Sequence, residues 1–132
     1  MLTLTGEYAL RASVHMATLE EGRFFLARDI AEATGIPGAY LAKIMQSMVK
    51  EGLLLSQRGL RGGFRFSRPL TQISIADVVG SVENLIRYEQ CILGQAECTD
   101  KVACPLHYGW REIANRYLDW MRRTKLSEMG SK

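Results

Sequence analysis

A mainly α-helical fold with one small β-hairpin is what this 132-residue sequence predicts. Three observations predict it. Apolar residues recur with helical spacing through most of the chain. That period breaks near residues 53–67, where two short apolar strands flank a glycine-rich tip. It breaks again near residues 86–104, where no other period replaces it and all three cysteines fall.

The first helix is expected over residues 5–20, with Thr5 as its cap, Glu7 favourably placed in its first turn, and Tyr8, Ala12, Met16 and Leu19 on one apolar face. A charged turn, Glu20-Glu21-Gly22-Arg23, leads into the apolar stretch Phe24-Phe25-Leu26. A shorter helix fits residues 27–34, burying Ile30 and Ala31, and Gly35 stops it by supplying the left-handed conformation a helix end favours. Pro37 and Gly38 open the third helix, expected to reach residue 51. Leu41, Ile44, Met45, Met48 and Val49 form its apolar stripe, and its other face carries Ala39, Lys43, Gln46, Ser47 and Lys50.

Residues 53–57 and 64–67 read as strands around the tip Arg58-Gly59-Leu60-Arg61-Gly62-Gly63. Ser74 caps a fourth helix whose Ile75, Val78, Val79 and Val82 follow the i, i+3, i+4, i+7 template. A last long helix is expected from Pro105, a favoured first-turn residue, to residue 123. Leu106, Trp110, Ile113, Tyr117 and Met121 form its stripe, widened by Ala114 and Leu118. A small helical core leaves much of that stripe uncovered, so a dimer face is expected there. The chain therefore divides into a winged helix-turn-helix domain (1–84), a cysteine-bearing loop (85–104), a dimerisation helix (105–126) and a polar tail (127–132).

The 47% hydrophobic content is ordinary for a globular chain, and no apolar run approaches the roughly 20 residues of a membrane span. The start, MLTLTGEYALRAS, lacks the basic and apolar regions of a signal peptide, so a cytoplasmic location is expected. No nucleophile elbow, phosphate loop or paired acid–base motif occurs, and an enzyme is not expected. The net charge of +3 is small, but its distribution is informative. Between Glu51 and Asp77 there is no acid, while Arg58, Arg61, Arg65 and Arg68 all fall there. From Asp77 to Cys104 acids dominate.

Helix, helix, tight turn, helix and basic hairpin is the order of a winged helix-turn-helix. Its third helix has the width of the major groove of double-stranded DNA, and its hairpin sets arginines beside the minor groove. The residues expected to contact DNA are Ala39, Tyr40, Lys43 and Ser47 on the helix and Arg58 and Arg61 in the wing. Lys43 and Lys50 suit phosphates better than bases.

The cysteines are spaced Cys91-x6-Cys98-x5-Cys104, with His107 three positions further on. An odd count without an export signal argues against a disulfide framework and for metal or redox chemistry. The spacing matches neither a zinc ribbon nor a ferredoxin. Three thiolates in a flexible loop can close around one iron centre. Cys104, at the expected start of the last helix, sits where backbone N–H groups favour a thiolate. His107 lies on the same side of that helix and is a candidate fourth ligand, with Glu7 of the first helix as the other. A thiol redox switch or zinc remains the alternative to a cluster.

Three stretches, LTGEYALRA, IAEATGIPGAYLAKIMQSMVKEGLL and RGLRGGFRFSRPLTQISIADVVGSVE, followed by CPLHYGWREI, resemble the IscR/NsrR-type winged-helix transcription regulators (the Rrf-two family) over residues 1–126. The resemblance implies a homodimeric, DNA-binding repressor of a palindromic operator. In cluster-binding members three loop cysteines hold a 2Fe–2S or 4Fe–4S iron–sulfur cluster sensing iron, redox or nitric oxide status. These correspond to Cys91, Cys98 and Cys104. The IscR-type histidine ligand falls on His107. The NsrR-type aspartate is absent, Tyr8 and Glu7 standing near its place, and the first cysteine gap is one residue longer than in IscR.

Overall fold

Among the described residues, 2–129 of the computed structural model, the elements run α1 (Leu4–Ala17), α2 (Ala27–Thr34), α3 (Gly38–Lys50), β1 (Leu54–Gln57), β2 (Gly63–Phe66), α4 (Ile75–Gly80) and α5 (His107–Arg123). Short 3-10 turns occupy Leu70–Gln72, Leu85–Tyr88 and Leu126–Glu128. The core gathers Ala9, Ala12 and Met16 of α1, Ile30 of α2, the predicted stripe of α3, and Val78 and Val79 of α4. Gly35 closes α2 at φ 74°, so α3 departs across α1 rather than continuing α2.

The cap of α1 is Thr3, not Thr5: the Gly6 amide donates to Thr3 Oγ1 at 3.0 Å. Thr5 lies inside the helix, its hydroxyl 2.7 Å from Tyr40 Oη. The helix also stops at Ala17 rather than residue 20, because the Thr18 and Leu19 amides tighten onto His15 and Met16.

Strands β1 and β2 pair antiparallel from Leu54↔Phe66 to Gln57↔Gly63. The stretch at 24–26 joins them: Phe25 and Phe64 exchange backbone hydrogen bonds of 2.9 and 2.8 Å. That approach requires Gly63, since a Cβ there would stand 2.2 Å from the Phe25 carbonyl oxygen. The wing is thus fastened to the α1–α2 connection.

Helix α5 begins at His107, after a turn at Pro105 and Leu106, two residues later than expected. Its stripe does not form one face. Ala114, Leu118 and Met121 are buried in the chain's own core, whereas Leu106, Ile113 and Trp120 are half exposed or more. Met121 is therefore unavailable to the expected dimer seam, whereas Trp120, outside the expected stripe, is exposed. Leu126, the end of the expected dimerisation segment, belongs instead to the chain's own core. Leu126 is fully buried, and backbone bonds of 2.9 Å from Ile75 to Thr124 and from Leu126 to Ile73 dock it beside the start of α4. Residues 130–132 of the expected polar tail lie outside the described residues.

Glu83, just past α4, fastens α1 to the segment that leads into the cysteine loop. Its side chain is 5% exposed; Oε2 accepts from the Thr3 amide at 3.1 Å and the Thr3 hydroxyl at 2.5 Å, and Oε1 lies 3.5 Å from Arg87. A Cβ on Gly6 would fall 2.2 Å from Oε2. Truncation by Glu83→Ala is expected to destabilise the chain by about 1–3 kcal/mol, since it removes the acceptor of a part-buried amide and hydroxyl. Replacing a helix glycine by alanine ordinarily gains roughly 0.5–1 kcal/mol. Gly6→Ala should instead destabilise the wild type by displacing the carboxylate, and become neutral or stabilising in the Glu83→Ala background. Denaturant unfolding of the four proteins checks this, and equal effects of Gly6→Ala in both backgrounds would contradict it.

Candidate metal centre and nucleic-acid interface

The loop that carries the cysteines has little regular structure, so side chains from outside must hold its shape. Trp110 Nε1 of α5 donates to the Gln90 carbonyl at 2.8 Å, and the Arg111 guanidinium donates to the carbonyls of Tyr88 and Gln90. Cys91 therefore leaves an anchored segment. Cys104 is buried, and its carbonyl accepts from the His107 amide at 3.1 Å as α5 begins. Between them, Gln95 Nε2 bridges the carbonyls of Glu97 and Val102, and Thr99 Oγ1 accepts from the amides of Lys101 and Val102.

The three thiols converge. Cys104 Sγ is 3.6 Å from Cys91 Sγ and 3.8 Å from Cys98 Sγ, and all three lie within 4.8 Å of one another. His107 is 3% exposed, with Nδ1 3.1 Å from Cys98 Sγ and Nε2 2.9 Å from Asp100 Oδ1. Glu7 is exposed on α1 and is not in this group. Bonds of about 2.3 Å around a tetrahedral ion place its sulfurs about 3.8 Å apart, so the two separations from Cys104 suit one ion, and the imidazole beside Cys98 is a candidate fourth donor. The same donor set, three soft thiolates and an imidazole, also suits an iron–sulfur cluster, for which the sulfurs must spread over more than one iron. Asp100 was not legible as a partner in the sequence, because a loop residue seven positions before a histidine has no periodic relation to it.

On the opposite part of the chain, Ala39, Tyr40, Lys43 and Ser47 are exposed together along one shallow groove on α3. Tyr40 is positioned by its hydroxyl contact to Thr5 and by an edge-on contact with Tyr8, ring centroids 5.4 Å apart. Gln46 and Lys50 are exposed as well. Arg58 and Arg61 stand free at the wing tip beside a fully exposed Leu60. Arg65 and Arg68 do not join them. Arg65 donates to the Gly22 carbonyl at 2.8 Å and lies over the Phe24 ring, and Arg68 pairs with Asp77 at 3.1 Å. Half of the arginines in the acid-free segment thus brace the wing from within.

A family model described as Rrf2, iron-dependent transcriptional regulator, matches residues 2–132. The chain belongs to the Rrf2 (Rrf-two) family. It is 31% identical to the HTH-type transcriptional regulator IscR of Vibrio vulnificus over 130 residues, covering 98% of this chain and 77% of that one. Its fold is similar to that of CymR, the global cysteine regulator of B. subtilis, with TM-score 0.79 and 18% identity over 98% of this chain and 95% of that one. It is similar also to IscR of T. potens, with TM-score 0.76 and 19% identity over 98% and 85%. Like other Rrf2 members the chain is a transcriptional regulator and not an enzyme. No helix among the described residues is long and apolar enough to cross a membrane.

Within this Rrf2 chain the thiols differ in acidity. Burial pushes the Cys91 thiol up, but the amides of Gln95 and Leu93, aided by Cys104 and Cys98, outweigh it and leave it at about 7. Burial raises the Cys104 thiol; the Leu106 amide opposes this, and the neighbouring Cys91 and Cys98 add to it. A lowered value means thiolate persists to lower pH, so Cys91 is a better nucleophile than Cys104 at neutral pH. In the metal-free, reduced chain iodoacetamide is expected to alkylate Cys91 before Cys104, with the Cys91 rate half-maximal near pH 7 and level at higher pH. Peptide mapping after short exposures checks the order. Cys104 reacting first would contradict it.

Proposed function

We propose that the chain is a homodimeric, DNA-binding repressor acting in the cytoplasm, whose affinity for a palindromic operator is set by an iron–sulfur cluster reporting iron, redox or nitric oxide status. The observation that carries this reading is the convergence of Cys91, Cys98 and Cys104, with His107 Nδ1 against Cys98, in an Rrf2 chain. Those four residues would hold the cluster, either 2Fe–2S or 4Fe–4S. When bound, it supplies a centre that changes charge and ligation with the iron and redox state around it. The protein's own part is to tie that loop to two places at once. Trp110 and Arg111 tie it to α5, whose exposed Leu106, Ile113 and Trp120 are the face offered to the second copy. Glu83 and Arg87 tie its approach to the N-terminus of α1, which in turn holds Tyr40 of α3.

In this reading Ala39, Tyr40, Lys43 and Ser47 enter the major groove, and Arg58 and Arg61 reach the adjacent minor groove. Two-fold symmetry of the dimer is matched by two-fold symmetry of the operator. A second reading keeps the DNA-binding function and replaces the cluster by zinc or a thiol redox switch. The sulfur separations of 3.6 and 3.8 Å favour it, because they already suit a single tetrahedral ion.

Anaerobic purification followed by iron, zinc and acid-labile sulfide analysis separates these readings. Iron with sulfide is expected in the wild type, and Cys98→Ala should lose most of both. Zinc without sulfide supports the second reading, and neither metal supports the thiol switch. For the DNA face, Arg61→Ala is expected to weaken binding across all sequences and reduce the slope of log affinity against log salt by roughly 1. An unchanged slope and affinity would remove Arg61 from the interface.

A further inference from the structure

We propose that Asp100 is a positioning residue for the metal centre: it holds His107 as the Nε2–H tautomer, so that Nδ1 is the nitrogen that takes the metal. This rests on the metal-centre reading above and extends it to a residue outside the ligand set.

His107 is 3% exposed, so its ring nitrogens find their partners in the protein rather than in water. Nε2 faces Asp100 Oδ1 at 2.9 Å, and Nδ1 faces Cys98 Sγ at 3.1 Å. A carboxylate only accepts hydrogen bonds, so the nitrogen that faces it carries the hydrogen. A neutral imidazole has a single N–H, and the other nitrogen is then a bare lone pair. Here that lone pair faces Cys98, one of the three clustered thiols. The competing arrangement is an imidazolium that bridges Asp100 and a Cys98 thiolate, with no nitrogen left to coordinate.

Asp100 owes its place to the turn it occupies. The Val102 amide bonds the Thr99 carbonyl at 3.1 Å, and Thr99 Oγ1 accepts from the amides of Lys101 and Val102, both at 3.2 Å. Tyr108 completes the arrangement. Its ring stands edge-on to the imidazole, centroids 4.9 Å apart, and its hydroxyl donates to the Asp100 carbonyl at 3.4 Å. The backbone of Asp100 and the ring of His107 are thus held against the same side chain. A carboxylate on the far nitrogen both fixes a ligating imidazole and makes it a stronger donor, and loss of such a partner weakens metal binding by about 10–100-fold.

The test uses zinc as a diamagnetic probe on the full, reduced chain. The sequence has two histidines, so His15 provides a reference spectrum beside His107. Long-range proton–nitrogen correlation of ¹⁵N-histidine-labelled, zinc-loaded protein identifies the coordinated nitrogen directly, and competition with a chromophoric chelator gives affinity. The expected wild-type pattern is a coordinated Nδ1 with a protonated Nε2. Asp100→Ala should lose that single pattern and bind zinc about 10–100-fold more weakly. Asp100→Asn, which keeps an acceptor oxygen without the charge, should retain the pattern with a smaller loss. Asp100 is exposed, so neither variant disturbs the core, and circular dichroism verifies this. Coordination through Nε2 in the wild type, or wild-type affinity and pattern in Asp100→Ala, would overturn the proposal alone. Zinc bound with His107 uncoordinated would remove His107 as a ligand and Asp100 with it, and no zinc binding at all would reject the metal-centre reading itself.

Discussion

Three thiols within 4.8 Å of one another would set like charges side by side if ionised, and the cysteine loop is arranged around that constraint. The acidities already diverge, with Cys91 lowered toward neutrality and Cys104 raised. A metal centre would resolve the conflict by supplying positive charge. Without one, the loop must tolerate mixed protonation. This is why anchoring matters here: the hydrogen bonds of Trp110, Arg111, Gln95 and Thr99 hold an otherwise irregular segment with its three sulfurs together.

The anchors also place the cysteine loop in physical continuity with α3, the helix proposed to meet DNA. Tyr88 packs against Trp110 and Tyr117 of α5, and Arg87, next to it, reaches the buried Glu83 carboxylate. Glu83 holds Thr3 at the start of α1, and two residues later Thr5 contacts Tyr40 on α3. Contacting groups therefore run from the cysteine loop to α3. The same loop leads directly into α5, the helix proposed to meet a second copy. A change in the loop can bias both the angle between subunits and the seat of α3.

Much of the fold was legible from residue pattern alone. The apolar stripe of α3, the capping Ser74 and the glycine-rich hairpin report local geometry, and local geometry has a period or a fixed offset that sequence displays. The failures share a different cause. Thr5 and Thr3 are equally good caps by type, and only the carboxylate of Glu83, eighty residues away, selects Thr3. The α5 stripe shows period without showing which side meets the chain's own core, so Met121 and Ile113 looked alike although one is buried and the other 58% exposed. Leu126 escaped notice because one apolar residue in a polar segment has no period at all. At the candidate site the thiols and His107 were legible by spacing and chemistry. The partners that shape the site, Asp100, Trp110 and Arg111, were not, since their contacts join residues with no regular separation.

The central claim is that the state of the cysteine centre sets the grip of α3 and the wing on DNA. The most direct measurement is operator affinity of the anaerobically purified chain before and after chelation of its metal, at one fixed salt concentration and on one operator fragment selected by the protein from random DNA. A coupling between the two sites is expected to change affinity by a factor on the order of 5–150. Identical affinity for the two forms, with metal analysis showing full occupancy in one and none in the other, would contradict it.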